Sequence, residues 1–222
     1  MTTERMPIYQ EYLLLALQDK GGNPQTGMLE YALAAAIIAD LFLLGKITLD
    51  DKSKLIDVID LKKLSDPILN SVLHALHSVK RRANLMTWIS RVAGTKNLRR
   101  DVALELCKKG ILKAERSTIL LIFSREVFPE INSVPEKKII ERLRKAIFFD
   151  HDKVEPHTAA LIALANSTGL LPFAFDRAEL KARKQRIKRI CEGEMIGKAA
   201  QDVILAAQAA LMTSMIIPII IS

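Results

Sequence analysis

The chain has 222 residues, half of them hydrophobic but only 5% aromatic, with 33 basic against 25 acidic side chains and a formal charge of +8. Such a length buries a sizeable core, and a bulk of Leu, Ile and Ala with few aromatics disfavours a β-sandwich and favours packed helices. The positive excess points to anionic partners, while Cys107 and Cys191, far apart in sequence, give neither a disulfide framework nor a metal spacing and suit a reducing compartment.

The opening "MTTERMPIYQ" lacks the apolar run of a signal peptide. Ile8 to Gln18 reads as a helix with Tyr12, Leu13 and Leu17 among its apolar contacts, stopped by the loop "DKGGNPQTG". Met28 to Leu44 carries only Glu30 and Asp40 as charges; a helix apolar all round is expected at the centre of a core, and Gly45 closes it. Short β-branched runs around Ile47 and Ile56 predict a small hairpin or irregular strands. The next helix starts at Ser65 or Asp66 with Pro67 in its first turn, and buries Leu69, Val72, Leu73 and Leu76.

A basic "KRR" (Lys80 to Arg82) leads to a short helix containing Trp88. Thr95 to Lys109 reads as an amphipathic helix with Thr95 as N-cap and Gly110 just past its end. In "ILKAERSTILLIFSREVF" a polar centre, Glu115 to Thr118, separates two apolar arms and predicts a β-hairpin. Helices follow from Pro135 through Phe149 and from Pro156, and "FDRAELKARKQRIKRI" reads as one strongly basic helix. Val203 to Ile221 has no charge, but Gln208, Thr213, Ser214 and Pro218 interrupt it, so the expectation is a buried terminal helix and not a membrane anchor. The predicted fold is mainly α: a single globular multi-helix domain over residues 1–222, built around a central apolar helix, with a β-hairpin and short irregular strands.

Catalytic and metal constellations are missing from this sequence. His74 and His77 stand at i, i+3 without a third ligand and read as a surface or core pair. His151 and His157 receive no role, neither cysteine has a basic neighbour in sequence, and no P-loop, GxGxxG or GxSxG occurs. No catalytic residue, metal or cofactor is expected, and nothing argues for an enzyme.

Charge placement is more informative. In "EKKIIERLRKA" Glu136 and Glu141 intersperse the cations, as on a solvated face. Arg177 to Arg189 holds seven cations against one carboxylate, Glu179, and suits either an anionic surface or solvent. Lys96, Arg99 and Arg100 differ, because they occupy the first turn of a helix, where the macrodipole is already positive. As a helix from Thr95 they fall within about a 100° arc, and Leu98 takes the place of a capping-box glutamate. Uncapped amides and three cations there suit phosphate, sulfate or a carboxylate.

The order of these pieces resembles the Golgi phosphoprotein 3 family, including its bacterial members. The matching stretches are "YLLLALQDKGG", "LFLLGKITLDD", "RRDVALELCKKGIL" running into "ILLIF", and "DKVEPHTAALIALANSTGLL", with "AELKARKQRIKRI" a weaker match. The resemblance implies a largely helical, non-enzymatic domain lying on a membrane surface. Eukaryotic members bind phosphatidylinositol 4-phosphate and the cytosolic tails of Golgi glycosyltransferases. The family's headgroup pocket uses two arginines spaced by three, which fall on Lys96 and Arg99. It also uses a tryptophan and an arginine, whose places are taken by Gln25 and Ala34, so half the pocket's chemistry is replaced. Anionic lipid in general, or another phosphorylated ligand, then fits better than that one phosphoinositide.

Three cations near an anionic leaflet supply about two decades of affinity, too little for stable docking. The apolar stretch Ile119, Leu120, Leu121, Ile122 and Phe123 offers a second contact, by entering lipid or by pairing with another copy, uses the family makes of this element; full burial in the core is the alternative. The expected function is a cytoplasmic, peripherally membrane-associated adaptor (on the Golgi face in a eukaryote) whose partners are anionic membranes and client protein tails. Its rivals are a nucleic-acid-binding module, in which the basic helix and hairpin imitate a helix and wing, and a protein–protein adaptor without lipid binding.

Overall fold

The computed structural model describes residues 5–17, 28–119, 123–150, 152–197 and 201–216. Helix α1 (Ile8–Ala16) is buried along its whole length, Gln10 and Glu11 included. It lies against α2 (Leu29–Leu43), the expected central helix, in which Leu33, Ile37, Ile38 and Leu41 are fully covered. Each such side chain contributes about 1.5–3 kcal/mol by leaving water. The small residues Ala32, Ala34, Ala35, Ala36 and Ala39 are equally covered, so neighbouring helices approach α2 closely from several sides. Gly45, at φ +63°, turns the chain out of the helix in a conformation that costs side-chain-bearing residues strain.

The expected small hairpin is β1 (Ile47–Leu49) paired antiparallel with β2 (Ile56–Val58). Helix α3 (Pro67–Ser78) begins as expected: Asp66 Oδ1 accepts from the amides of Ile68 and Leu69 at 3.0 and 2.9 Å. Helix α4 (Leu85–Ala93) buries Trp88, Ile89 and Val92 and packs on α2. Helix α5 (Leu98–Lys108) turns Leu98, Val102 and Leu106 inward, a four-residue repeat along one face.

The hairpin exists, but its parts are placed differently from expectation. Strand β3 (Glu115–Ile119) pairs with β4 (Phe123–Val127), with Glu115 opposite Val127 and Ile119 opposite Phe123. The polar run expected at the centre is therefore a strand, paired with Phe123–Val127. Leu120, Leu121 and Ile122 lie outside the described residues, as does Gln25.

Helices α6 (Val134–Phe148) and α7 (Pro156–Ser167) follow, then the single turn α8 (Leu171–Ala174). The basic run after it is two helices, α9 (Arg177–Ala182) and α10 (Lys184–Cys191), and not one. The break is at Arg183, whose guanidinium is tied to Asp150 at 3.0 Å and to the Phe148 carbonyl at 2.7 Å. Helix α11 (Gln201–Ile216) packs on α2, α7 and α4 through buried Val203, Ile204, Ala206, Ala207 and Ala209. Among the described residues no helix is long and apolar enough to cross a membrane.

Candidate anion-binding site

The segment joining α4 to α5 sets the geometry of the proposed cations. Asn84 caps α4 by accepting from the Thr87 amide at 2.9 Å, and the Arg91 guanidinium lies 4.9 Å above the Trp88 ring. The helix ends at Gly94, and the Thr95 amide bonds back to the Val92 carbonyl. Asn97 then adopts the left-handed conformation, φ +64°, and α5 starts at Leu98.

Three consequences revise the sequence expectation. Thr95 does not cap α5; Asn97 holds that position, and its side chain makes no capping bond. Lys96 stands before the helix, in the turn, so only Arg99 and Arg100 occupy the first helical turn. The first intrahelical bond runs from the Asp101 amide to the Asn97 carbonyl, which leaves the Arg99 and Arg100 amides without an intrahelical acceptor.

The three cations are not equivalent. Arg100 Nε donates to Glu126 Oε2 at 2.6 Å, which ties α5 to β4 and raises the guanidinium's basicity through that hydrogen bond and the adjacent negative charge. Among the described residues Lys96 and Arg99 have no carboxylate partner; Lys96 is exposed and Arg99 half-buried. Most other basic segments are answered internally. Arg82 holds Asp57 with one nitrogen at 2.7 and 2.8 Å, Arg142 clamps the buried Glu11 at 2.5 and 3.1 Å, and Lys145 pairs with Glu141 at 2.7 Å.

Beside the turn runs a 440 Å³ cleft between α3 and the α4–α5 pair, with Ile68, Val72, Trp88 and Leu98 on its walls and Arg91 at its edge. Trp88 and Arg91 had no assigned place in the headgroup pocket; an Arg three residues after a Trp on one helix is the signal that could have found the stacked pair. Ala34 is 0% exposed inside α2, so it offers no surface to a headgroup. Of the hairpin stretch, Ile119 and Phe123 are brought opposite one another at the ends of β3 and β4.

The other sequence candidates are quickly placed. His74 and His77 are both exposed on α3, and among the described residues no group of three His, Cys, Asp or Glu could hold a metal ion. His157, given no role from sequence, joins a buried polar cluster under α1. Its Nε2 lies 3.1 Å from the Met6 carbonyl, which fixes that nitrogen as a donor. Burial, then the positive charges of Arg5 and Arg142, push its pKa down to about 3, so the ring is neutral. The matching family model, Golgi phosphoprotein 3 (GPP34), covers residues 8–207, from the first residue of α1 into α11: the chain belongs to that family.

Proposed function

We propose that the chain is a non-enzymatic peripheral membrane protein that recognises anionic phospholipid headgroups, in the manner of a phosphatidylinositol 4-phosphate-binding adaptor. Lys96 and Arg99 are the headgroup contacts, and Arg100, held by Glu126, adds less. The apolar stretch from Ile119 to Phe123, two residues of which terminate the paired strands, is the second contact with the bilayer.

The observation that carries this reading is the pair Lys96 and Arg99, which among the described residues have no carboxylate partner and stand beside two amides without a side-chain cap. A phosphate oxygen accepts from such amides and neutralises such cations at once. With Gln25 and Ala34 standing where the family's pocket has a tryptophan and an arginine, selectivity for one phosphoinositide is weak and charge density governs binding.

Vesicle sedimentation tests this. Vesicles with phosphatidylserine are expected to pellet the protein, and pure phosphatidylcholine vesicles to leave it in solution. Lys96→Ala/Arg99→Ala should weaken anionic binding about thirtyfold, from two surface cations. Its thermal midpoint should stay unchanged. Phosphatidylinositol 4-phosphate at matched charge should bind no more than severalfold better than phosphatidylserine. Equal pelleting with neutral and anionic vesicles, or full binding by the double variant, would overturn the proposal.

A further inference from the structure

The positive charge left unpaired by the protein gathers in a second place, away from α5. Helices α9 and α10 form one wall of a groove of about 1240 Å³; α11 and the first turn of α4 line it elsewhere, with the end of α7 between them. Its surface is mainly apolar, with Leu85, Met86, Leu171, Leu180, Ile187 and Leu205 contributing. Leu205 is 48% exposed, although it sits on a helix whose neighbouring residues Ile204 and Ala206 are buried. Around this surface stand Lys54, Arg177, Lys181 and Lys184, none of which pairs with a carboxylate among the described residues. Lys188 shares the rim but is answered by Glu192 at 3.7 Å. Other cations of the same two helices are committed: Arg183 to Asp150 and Arg189 to Glu194.

Size, shape and charge together select an occupant. The groove exceeds the volumes usual for small-molecule sites, about 300–1,000 Å³. It is open to solvent, so a bare acyl chain laid in it would keep one side in water and lose much of its burial energy. An amphipathic helix loses nothing, because the face turned away from the groove is polar. A rim of uncompensated lysine and arginine favours carboxylates along the edges of that helix and disfavours a basic one.

We infer that the groove between α9–α10 and α11 is a docking site for an acidic amphipathic helix of a partner protein, distinct from the Lys96–Arg99 turn. The occupant lays an apolar stripe on Leu85, Leu180 and Leu205 and presents Asp or Glu to Lys181 and Lys184. Membrane docking and partner docking then use separate surfaces, so one chain can carry a partner while it holds a bilayer.

The test uses the full chain and a fluorescein-labelled peptide of about 18 residues, ~27 Å long as a helix. Leucines at i, i+3, i+4 and i+7 make one face and glutamates the flanks; a scrambled peptide of identical composition is the control. Fluorescence anisotropy should show saturable binding of the amphipathic peptide, and at least about tenfold weaker binding of the scramble. Lys181→Glu/Lys184→Glu should lose about tenfold or more, and Leu205→Asp, a change at an already half-exposed position, a similar factor. Lys96→Ala/Arg99→Ala should bind the peptide normally, which separates this inference from the headgroup proposal. Equal binding of the scramble, or indifference to both groove variants, would overturn it. Three further results would also overturn it: peptide binding that emerges only when residues 217–222 are deleted, a concentration-dependent dimer abolished by Leu205→Asp, or displacement of the peptide by phosphatidylglycerol micelles but not by unlabelled peptide.

Discussion

Helices α1 and α5 begin with the same shortage and resolve it in opposite ways. Pro7 and Asn97 stand at their N-cap positions, and neither supplies a capping side chain. For α1 the remedy comes from the helix beneath it: Asp40 of α2 accepts from the Ile8 amide at 3.0 Å and the Tyr9 amide at 3.2 Å. Burial pushes the Asp40 carboxyl well above the usual range, and those two amides pull it back. For α5 no carboxylate among the described residues accepts from the amides; Asp101 lies in the same first turn, and Glu126 is spent on Arg100. One end is completed by the fold itself. The other has two amides without an intrahelical acceptor beside two cations without a carboxylate partner among the described residues, the arrangement that the proposed headgroup would complete.

Removing the internal acceptor should have the largest effect of any change considered. Asp40→Ala strands two buried N–H donors and leaves a void in α2, so stability should fall by about 2–4 kcal/mol. Asp40→Asn keeps one acceptor oxygen and should lose less. Urea denaturation at neutral pH measures both. An unchanged midpoint for Asp40→Ala would mean that α1 does not depend on its borrowed cap, and the contrast between the two ends would lose its basis.

The legible parts of this fold were those in which a residue and its partner lie close in sequence. Asp66 before Pro67 announced the start of α3, and the nearly charge-free run from Met28 announced the central helix. Asp40 looked like an isolated charge on that helix, because the amides it caps lie 31 and 32 residues away. Sequence alone puts the polar residues of the hairpin in its middle, because no Gly, Asn or Pro occurs between Ile119 and Phe123 to mark a turn. Arg183 broke an apparently continuous basic helix through contacts with Phe148 and Asp150, which helical periodicity does not encode. In the candidate site, the cation triad was visible at once, but its inequality was not. Glu126, which separates Arg100 from the other two, comes from a strand 26 residues on.

The first turn of α6 stands between the two extremes and adds a pH dependence. Its N-cap Ser133 makes no side-chain bond, and Glu136 sits in the turn, partly buried and hydrogen-bonded to Glu130. Burial, followed by the charge and hydrogen bond of Glu130, pushes the Glu136 pKa up to about 7. The folded chain therefore holds a proton that the unfolded chain releases near 4.5. Stability contributed by this pair is present below that value and declines as pH rises from 4.5 to about 7, then levels off. Chemical denaturation across pH 4.5 to 8 should show this slope in the native sequence and a shallower one in Glu136→Gln. Identical slopes would show that Glu136 ionises as freely in the fold as outside it. Its helix end would then resemble the open one at α5.

The smallest expected effect bears most directly on the open end. Glu126→Gln preserves the shape of the partner to Arg100 but removes its charge, so a third cation joins Lys96 and Arg99 at the start of α5. Affinity for phosphatidylserine vesicles should then rise about threefold to fivefold, in line with one added surface cation. Total charge also rises by one, and a general attraction would give a gain wherever the charge is added. Glu179→Gln on α9 is the control, since it frees Arg144 and changes the net charge equally. At physiological ionic strength charges separated by more than about 8 Å are largely screened. A headgroup held at the α5 turn should therefore respond to Glu126→Gln and hardly to Glu179→Gln. Equal gains from the two would mean that the membrane senses only the overall charge. The bare start of α5 would then be no more a binding site than the rest of the basic surface.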